Sequence, residues 1–152
     1  TKDMKLVIYQ PDIPQNTGAM IRTCSCFDID IEIIHPSSFP LDHKLLKRTA
    51  MDYGSLIKIT EHDSWESFKK TLKPHKRIIL LSTKGKTSYT DFSFHNDDYL
   101  VVGRESAGVP DVIHNEANEV LTIPISKSSR SLNVSTAASI ALSEAIRQLK
   151  VR

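Results

Sequence analysis

Short apolar runs alternate along the chain with stretches in which apolar residues recur at every third or fourth position. Lys5-Leu6-Val7-Ile8-Tyr9 reads as a buried strand, closed by the turn-prone Pro11 and Pro14. From Gly18 to Phe27 the residues Met20, Ile21, Cys24 and Phe27 repeat at helical spacing, and Ile31–Ile34 is a second strand stopped by Pro36. A short helix is expected at Asp42–Met51, with Leu45 and Leu46 inward and Lys44, Lys47 and Arg48 outward, followed by a third strand at Leu56–Ile59. Asp63 and Glu66 have the spacing of a capping box. They predict a helix that carries Trp65, Phe68 and Leu72 on one face and ends before Pro74. Arg77–Ser82, Tyr99–Gly103 and Val120–Ile123 complete the strands. Pro110 suits the first position of a short helix, and Val134–Lys150 forms a long terminal helix rich in small residues.

Strands alternating with helices predict an α/β fold, a mostly parallel sheet flanked by helices. The 152 residues hold no repeat, low-complexity segment or linker, so one domain over 1–152 is expected. No apolar run approaches the ~20 residues needed to span a bilayer, and no signal-peptide apolar region opens the chain, so a cytoplasmic protein without a membrane partner is expected. The net charge of +2 does not announce nucleic-acid binding, and any basic footprint must be local. Cys24 and Cys26 have the spacing of neither a zinc knuckle nor a usual disulfide. The histidines form no ligating pair, and no metal is expected. Two phosphate motifs are absent. The segment after the first strand holds a single glycine rather than Gly-x-Gly-x-x-Gly, and Gly85-Lys86-Thr87 has Leu80 where a P-loop needs its first glycine.

Three loops carry polar residues that packing alone does not require. In the first, Asn16 or Thr17 can cap the helix that follows. Arg22 stands about one turn inside that helix, where its charge opposes the macrodipole unless an outside anion, such as a phosphate, is its partner. In the second, a buried strand runs into Gly103-Arg104-Glu105-Ser106-Ala107-Gly108, and ligands of parallel sheets bind beyond strand carboxyl ends. The same residues also suit a plain strand-to-helix turn. In the third, four serines, Lys127, Arg130 and Asn133 precede a helix whose first amides attract acceptors, and a fifth serine, Ser135, stands in its first turn. The alternation Ser131-Leu132-Asn133-Val134 predicts an ordered loop with every second side chain buried, and Asn133 also suits a simple N-cap.

Taken in order, Asn16-x-Gly18-x-x-x-Arg22, Gly103-x-Glu105-x-x-Gly108-x-Pro110, and Ile123-Pro124-Ile125 followed by Arg130-Ser131-Leu132-Asn133-Val134-Ser135 resemble the three motifs of SPOUT-class RNA 2′-O-methyltransferases. The resemblance covers nearly the whole chain. It is nearest to the small tRNA (cytidine/uridine) wobble-nucleotide enzymes of the TrmL (YibK) type, and Gln10–Gly18, Leu81–Gly85 and Met51-Asp52-Tyr53 add to it.

The resemblance implies a deep C-terminal trefoil knot, which no periodicity would suggest. It implies S-adenosyl-L-methionine as methyl donor, with S-adenosyl-L-homocysteine as product, bound by Leu81, Gly103, Ile123, Ser131 and Leu132. It implies a catalytic set of Arg22, Asn16, Glu105 and Asn133, and a homodimer that acts on the anticodon stem-loop of tRNA. Lys44, Arg48, Arg104, Lys127 and Arg130 are the expected RNA contacts. Two positions depart from the pattern: Arg104 stands where proline is common, and Ser143 where tyrosine is. Family accounts let the motif-one arginine activate the hydroxyl, but a guanidinium holds its proton far above neutral pH. Anchoring a flanking phosphate and stabilising the developing alkoxide suits Arg22 better. Two other readings remain at this point: an RNA-binding module without catalysis, and a SPOUT enzyme acting on a base or on a different tRNA or rRNA ribose.

Overall fold

The computed structural model describes residues 3–42, 44, 46, 48, 52 and 57–150. Among them seven strands form one sheet: β1 (Lys5–Tyr9), β2 (Asp30–Ile34), β3 (Ile59–His62), β4 (Ile78–Leu81), β5 (Thr87–Ser88), β6 (Tyr99–Val102) and β7 (Glu119–Thr122). The order is β3-β2-β1-β6-β4-β7-β5, and every pairing is parallel. The helices are α1 (Pro14–Phe27), α2 (Trp65–Lys70), α3 (Asp111–Glu116) and α4 (Val134–Leu149).

Side chains alternate across each strand, so the sheet has two apolar faces. Leu6 and Ile8 of β1, Ile31 and Ile33 of β2, and Leu100 and Val102 of β6 meet α1 and α4 on one face. Val7, Tyr9, Ile34 and Val101 meet Trp65, Phe68 and Ile113 on the other. The small residues of α4 let it lie close: Ala138, Ala141 and Ala145 are fully buried, and Thr23 of α1 hydrogen-bonds Ser139 at 3.0 Å. Cys24 packs in this core and burial pushes its thiol pKa upward, whereas Cys26 is exposed. Nothing among the described residues is long and apolar enough for a helix to cross a membrane.

Several element ends differ from expectation for identifiable reasons. α1 begins at Pro14, with Ile13 as its N-cap residue, so neither Asn16 nor Thr17 caps it; both are buried in its first turn. Proline pre-sets the dihedral of a first helical residue. Arg22 therefore lies past the middle of α1, and the macrodipole argument does not apply to it. Ser64, not Asp63, caps α2, its hydroxyl accepting from the Ser67 amide at 3.1 Å. β3 runs three residues later than expected because its polar side chains are paired. His62 contacts the Glu32 carboxylate at 2.6 Å and His35 contacts Glu61 at 2.7 Å. β5, two residues long, escapes any periodicity. Lys44, Leu46, Arg48 and Asp52 have helical backbone, while Leu45, Lys47, Met51 and Tyr53 lie outside the described residues.

Candidate active site

The carboxyl ends of β4, β6 and β7 open into a cavity of about 200 Å³. Strand geometry makes its floor from Leu80, Leu81, Val102 and Thr122, and two loops make its walls. All five residues expected to hold a cofactor line it: Leu81, Gly103, Ile123, Ser131 and Leu132.

The loop after β6 folds back on itself. Arg104 and Gly108 exchange backbone hydrogen bonds at 3.0 and 2.9 Å, with Gly108 at φ +60°. Gly103 is required by this closure, because a Cβ there would sit 2.6 Å from the Gly108 carbonyl carbon. Arg104 lines the cavity but is also tied to the turn: its Nε donates to the Gly108 carbonyl at 2.9 Å, and its guanidinium lies 5.5 Å from the centre of the Tyr9 ring.

The loop after β7 ends on Asn133, which caps α4 by accepting from the amides of Ser135 and Thr136 at 2.9 and 3.1 Å. Its amide nitrogen donates to Asn16 Oδ1 at 2.8 Å. Leu132 and Val134 are half-buried between exposed Ser131 and Asn133, so the side chains alternate as expected, but neither is fully buried. Glu105, on the cavity wall, accepts from the Val134 amide at 3.1 Å. Asn16 and Asn133 are thereby bonded to each other, and Glu105 to the residue after Asn133; of the three only Glu105 lines the cavity. Arg22 is exposed on α1 and is not part of the cavity lining. Lys44, Arg48, Lys127 and Arg130 are exposed as well.

One participant went unmarked in the sequence. Asp12 accepts from the Glu105 amide at 3.0 Å and from the Ser106 amide and hydroxyl at 3.2 and 2.6 Å. Partial burial raises its pKa, but the Ser106 hydroxyl and the two amides outweigh that and hold it below the ordinary carboxylate value. His95, Asp97 and Asp98 also lie within ligating reach of one another. Asp98 is taken up by Arg77 in a two-bond pair at 2.8 and 2.7 Å, and Asp97 by Lys76 at 3.3 Å.

The family profile described as SpoU rRNA Methylase matches residues 3–143. The chain belongs to this family. It is 44% identical over 145 residues to a tRNA (cytidine(34)-2′-O)-methyltransferase of Beijerinckia indica, covering 95% of this chain and 91% of that one. A solved structure described as giving structural insights into the 2-OH methylation of C/U34 on tRNA superimposes with a TM-score of 0.89 at 36% identity, covering 98% of this chain and 97% of that one. An AdoMet-bound rRNA methyltransferase from Sinorhizobium meliloti shares the fold, with a TM-score of 0.84 at 24% identity, over 98% of this chain and 57% of that one.

Proposed function

We propose that this SpoU-family protein transfers a methyl group from S-adenosyl-L-methionine to the ribose 2′-hydroxyl of the wobble cytidine or uridine, nucleotide 34, of tRNA. The observation that carries this reading is the convergence of the five cofactor-type residues and Glu105 on one cavity, with Glu105 bonded to the Val134 amide and the neighbouring Asn133 bonded to Asn16. The cavity fits the donor chemically. Leu81, Ile123 and Leu132 offer apolar contact to a flat base, and the strand ends and the Gly103 turn present backbone polar groups to its edge. The sulfonium supplies an already activated methyl group, so the protein's work is placement, which is worth up to about 7–11 kcal/mol of barrier when reacting groups are well oriented.

In this reading Asn133 and Asn16 hold the ribose side, Glu105 fixes the loop, and Arg22 grips a neighbouring phosphate and stabilises the oxygen as it loses its proton. Lys44, Arg48, Lys127 and Arg130 contact the anticodon stem-loop. A homodimer accounts for Arg22 standing outside its own chain's cavity, because a two-fold axis can bring it to the partner's. The insertion of β7 between β4 and β5, with α4 returning to α1, supports a trefoil knot within a single domain over 1–152, and a tRNA substrate is the ground for expecting the protein in the cytoplasm.

The test is nucleoside mass spectrometry after incubation with tRNA and S-adenosylmethionine. A 2′-O-methylated nucleotide 34 is expected, and a tRNA carrying 2′-deoxyribose at that nucleotide alone should not react. Undiminished methylation of the deoxy substrate would reject the assignment.

A further inference from the structure

Asp12 sits on the short connection between β1 and α1, four residues before Asn16. Through these two residues the segment leading into α1 grips both cavity loops: Asp12 holds the Glu105-Ser106 turn, and Asn16 holds Asn133. The turn that Asp12 holds is already closed by the Arg104–Gly108 backbone pair and by the Arg104 side chain. Asp12 is therefore not needed to form the cavity wall. What it sets is where the turn stands relative to α1. Glu105 is held at both ends, its amide by Asp12 and its carboxylate by the Val134 amide at the start of α4.

We propose that Asp12 is a positioning residue for methyl transfer, fixing Glu105 against the N-terminus of α4 and tying that pair to the segment that carries Asn16 and Arg22. This role rests on methyl transfer taking place at the cavity. A carboxylate suits it better than an amide would. Three donors converge on Asp12, two on one oxygen, and an asparagine would turn an N–H toward at least one of them.

Asp12→Asn and Ser106→Ala in the full chain test the role, read by steady-state methyl transfer to a tRNA transcript, calorimetric S-adenosylmethionine affinity and amide hydrogen exchange. For Asp12→Asn, kcat should fall ten- to a hundredfold while cofactor affinity stays within threefold, and the Glu105 and Ser106 amides should exchange at least tenfold faster. Ser106→Ala removes one bond from an exposed loop and should lower kcat at least threefold, which keeps the test open if Asp12→Asn does not fold. In a Glu105→Gln background, Asp12→Asn should cost little more, because both act by one route. An unchanged kcat, a parallel loss of cofactor affinity, or losses that multiply in the double variant would each overturn the role. If the wild type methylates no tRNA, the activity fails on its own, and unchanged amide exchange in Asp12→Asn would still overturn the clamp.

Discussion

Asn133 bonds across 117 positions of chain to Asn16, at 2.8 Å, with the amide nitrogen of the same side chain whose oxygen caps α4. The cap and the contact with the first motif are not alternatives, because they use different atoms. One side chain thereby ends the third loop, starts the last helix and holds the first helix in place.

The two jobs separate on substitution. Asn133→Ser keeps an N-cap oxygen but is too short to reach Asn16, so it should lose the net value of one hydrogen bond, about 0.5–1.5 kcal/mol, while methyl transfer slows at least tenfold. Asn133→Ala loses both, and the missing cap should cost about 0.5–2 kcal/mol. Urea unfolding beside single-turnover kinetics checks the pair. Equal activity in Asn133→Ser and the wild type would make the Asn16 contact idle.

Gly103→Ala forces a backbone collision, since the new Cβ would lie 2.6 Å from one Gly108 atom and 2.8 Å from another. Neither is a flexible side-chain end, so the turn must open. S-adenosylmethionine affinity should drop at least tenfold by calorimetry. Gly18→Ala, whose Cβ would meet nothing within 4 Å, should leave it unchanged.

The strands and the two long helices were legible because their apolar positions have a period and the sheet buries both faces. Leu6/Ile8 and Val7/Tyr9 go to opposite cores, which gives a continuous apolar run. β3 escapes the periodicity because Glu61 and His62 look like loop residues until their partners are known, His35 just past the end of β2 and Glu32 within it. The cavity residues were readable through the motifs they share with similar enzymes. Asp12 was not, because its meaning lies in Glu105 and Ser106, 93 and 94 positions away. α1 starts at Pro14, four residues before its apolar periodicity becomes visible at Gly18, so Arg22 lies deeper in the helix than the spacing predicts.

Glu116 gives a pH-dependent test of how the second core is closed. It accepts from Lys69 at 2.7 Å and from the Trp65 indole at 2.6 Å, tying α3 to α2. These two bonds outweigh its slight desolvation and hold its pKa below the ordinary 4.5. A lowered folded-state pKa stabilises above the unfolded value and stops doing so as pH falls through the folded one. The pair is about a third exposed, so solvent screening limits the effect of Glu116→Gln at neutral pH to about 1 kcal/mol or less. That difference should hold from pH 8 to 5 and shrink below 4.5. Urea unfolding at pH 7 and pH 3 checks it, and a difference that grew on acidification would contradict the assignment.

The basic residues near the cavity divide by what holds them. Lys127 and Arg130 are exposed on the loop between β7 and α4, whereas the Arg104 guanidinium is engaged by the Gly108 carbonyl and the Tyr9 ring. Binding to single-stranded RNA weakens with salt at a log–log slope of about −0.7 per neutralised phosphate. Lys127→Ala and Arg130→Ala should therefore each make the slope for tRNA binding shallower by about 0.7 while leaving S-adenosylmethionine affinity unchanged. Arg104→Ala should leave the slope as in the wild type yet lower turnover, because it loosens the turn on which Glu105 stands. Titrations of an anticodon stem-loop between 50 and 300 mM salt, about a sixfold range, resolve the two classes. A slope that moved for Arg104→Ala but not for Lys127→Ala or Arg130→Ala would place the phosphate contacts on the turn and not on the exposed loop.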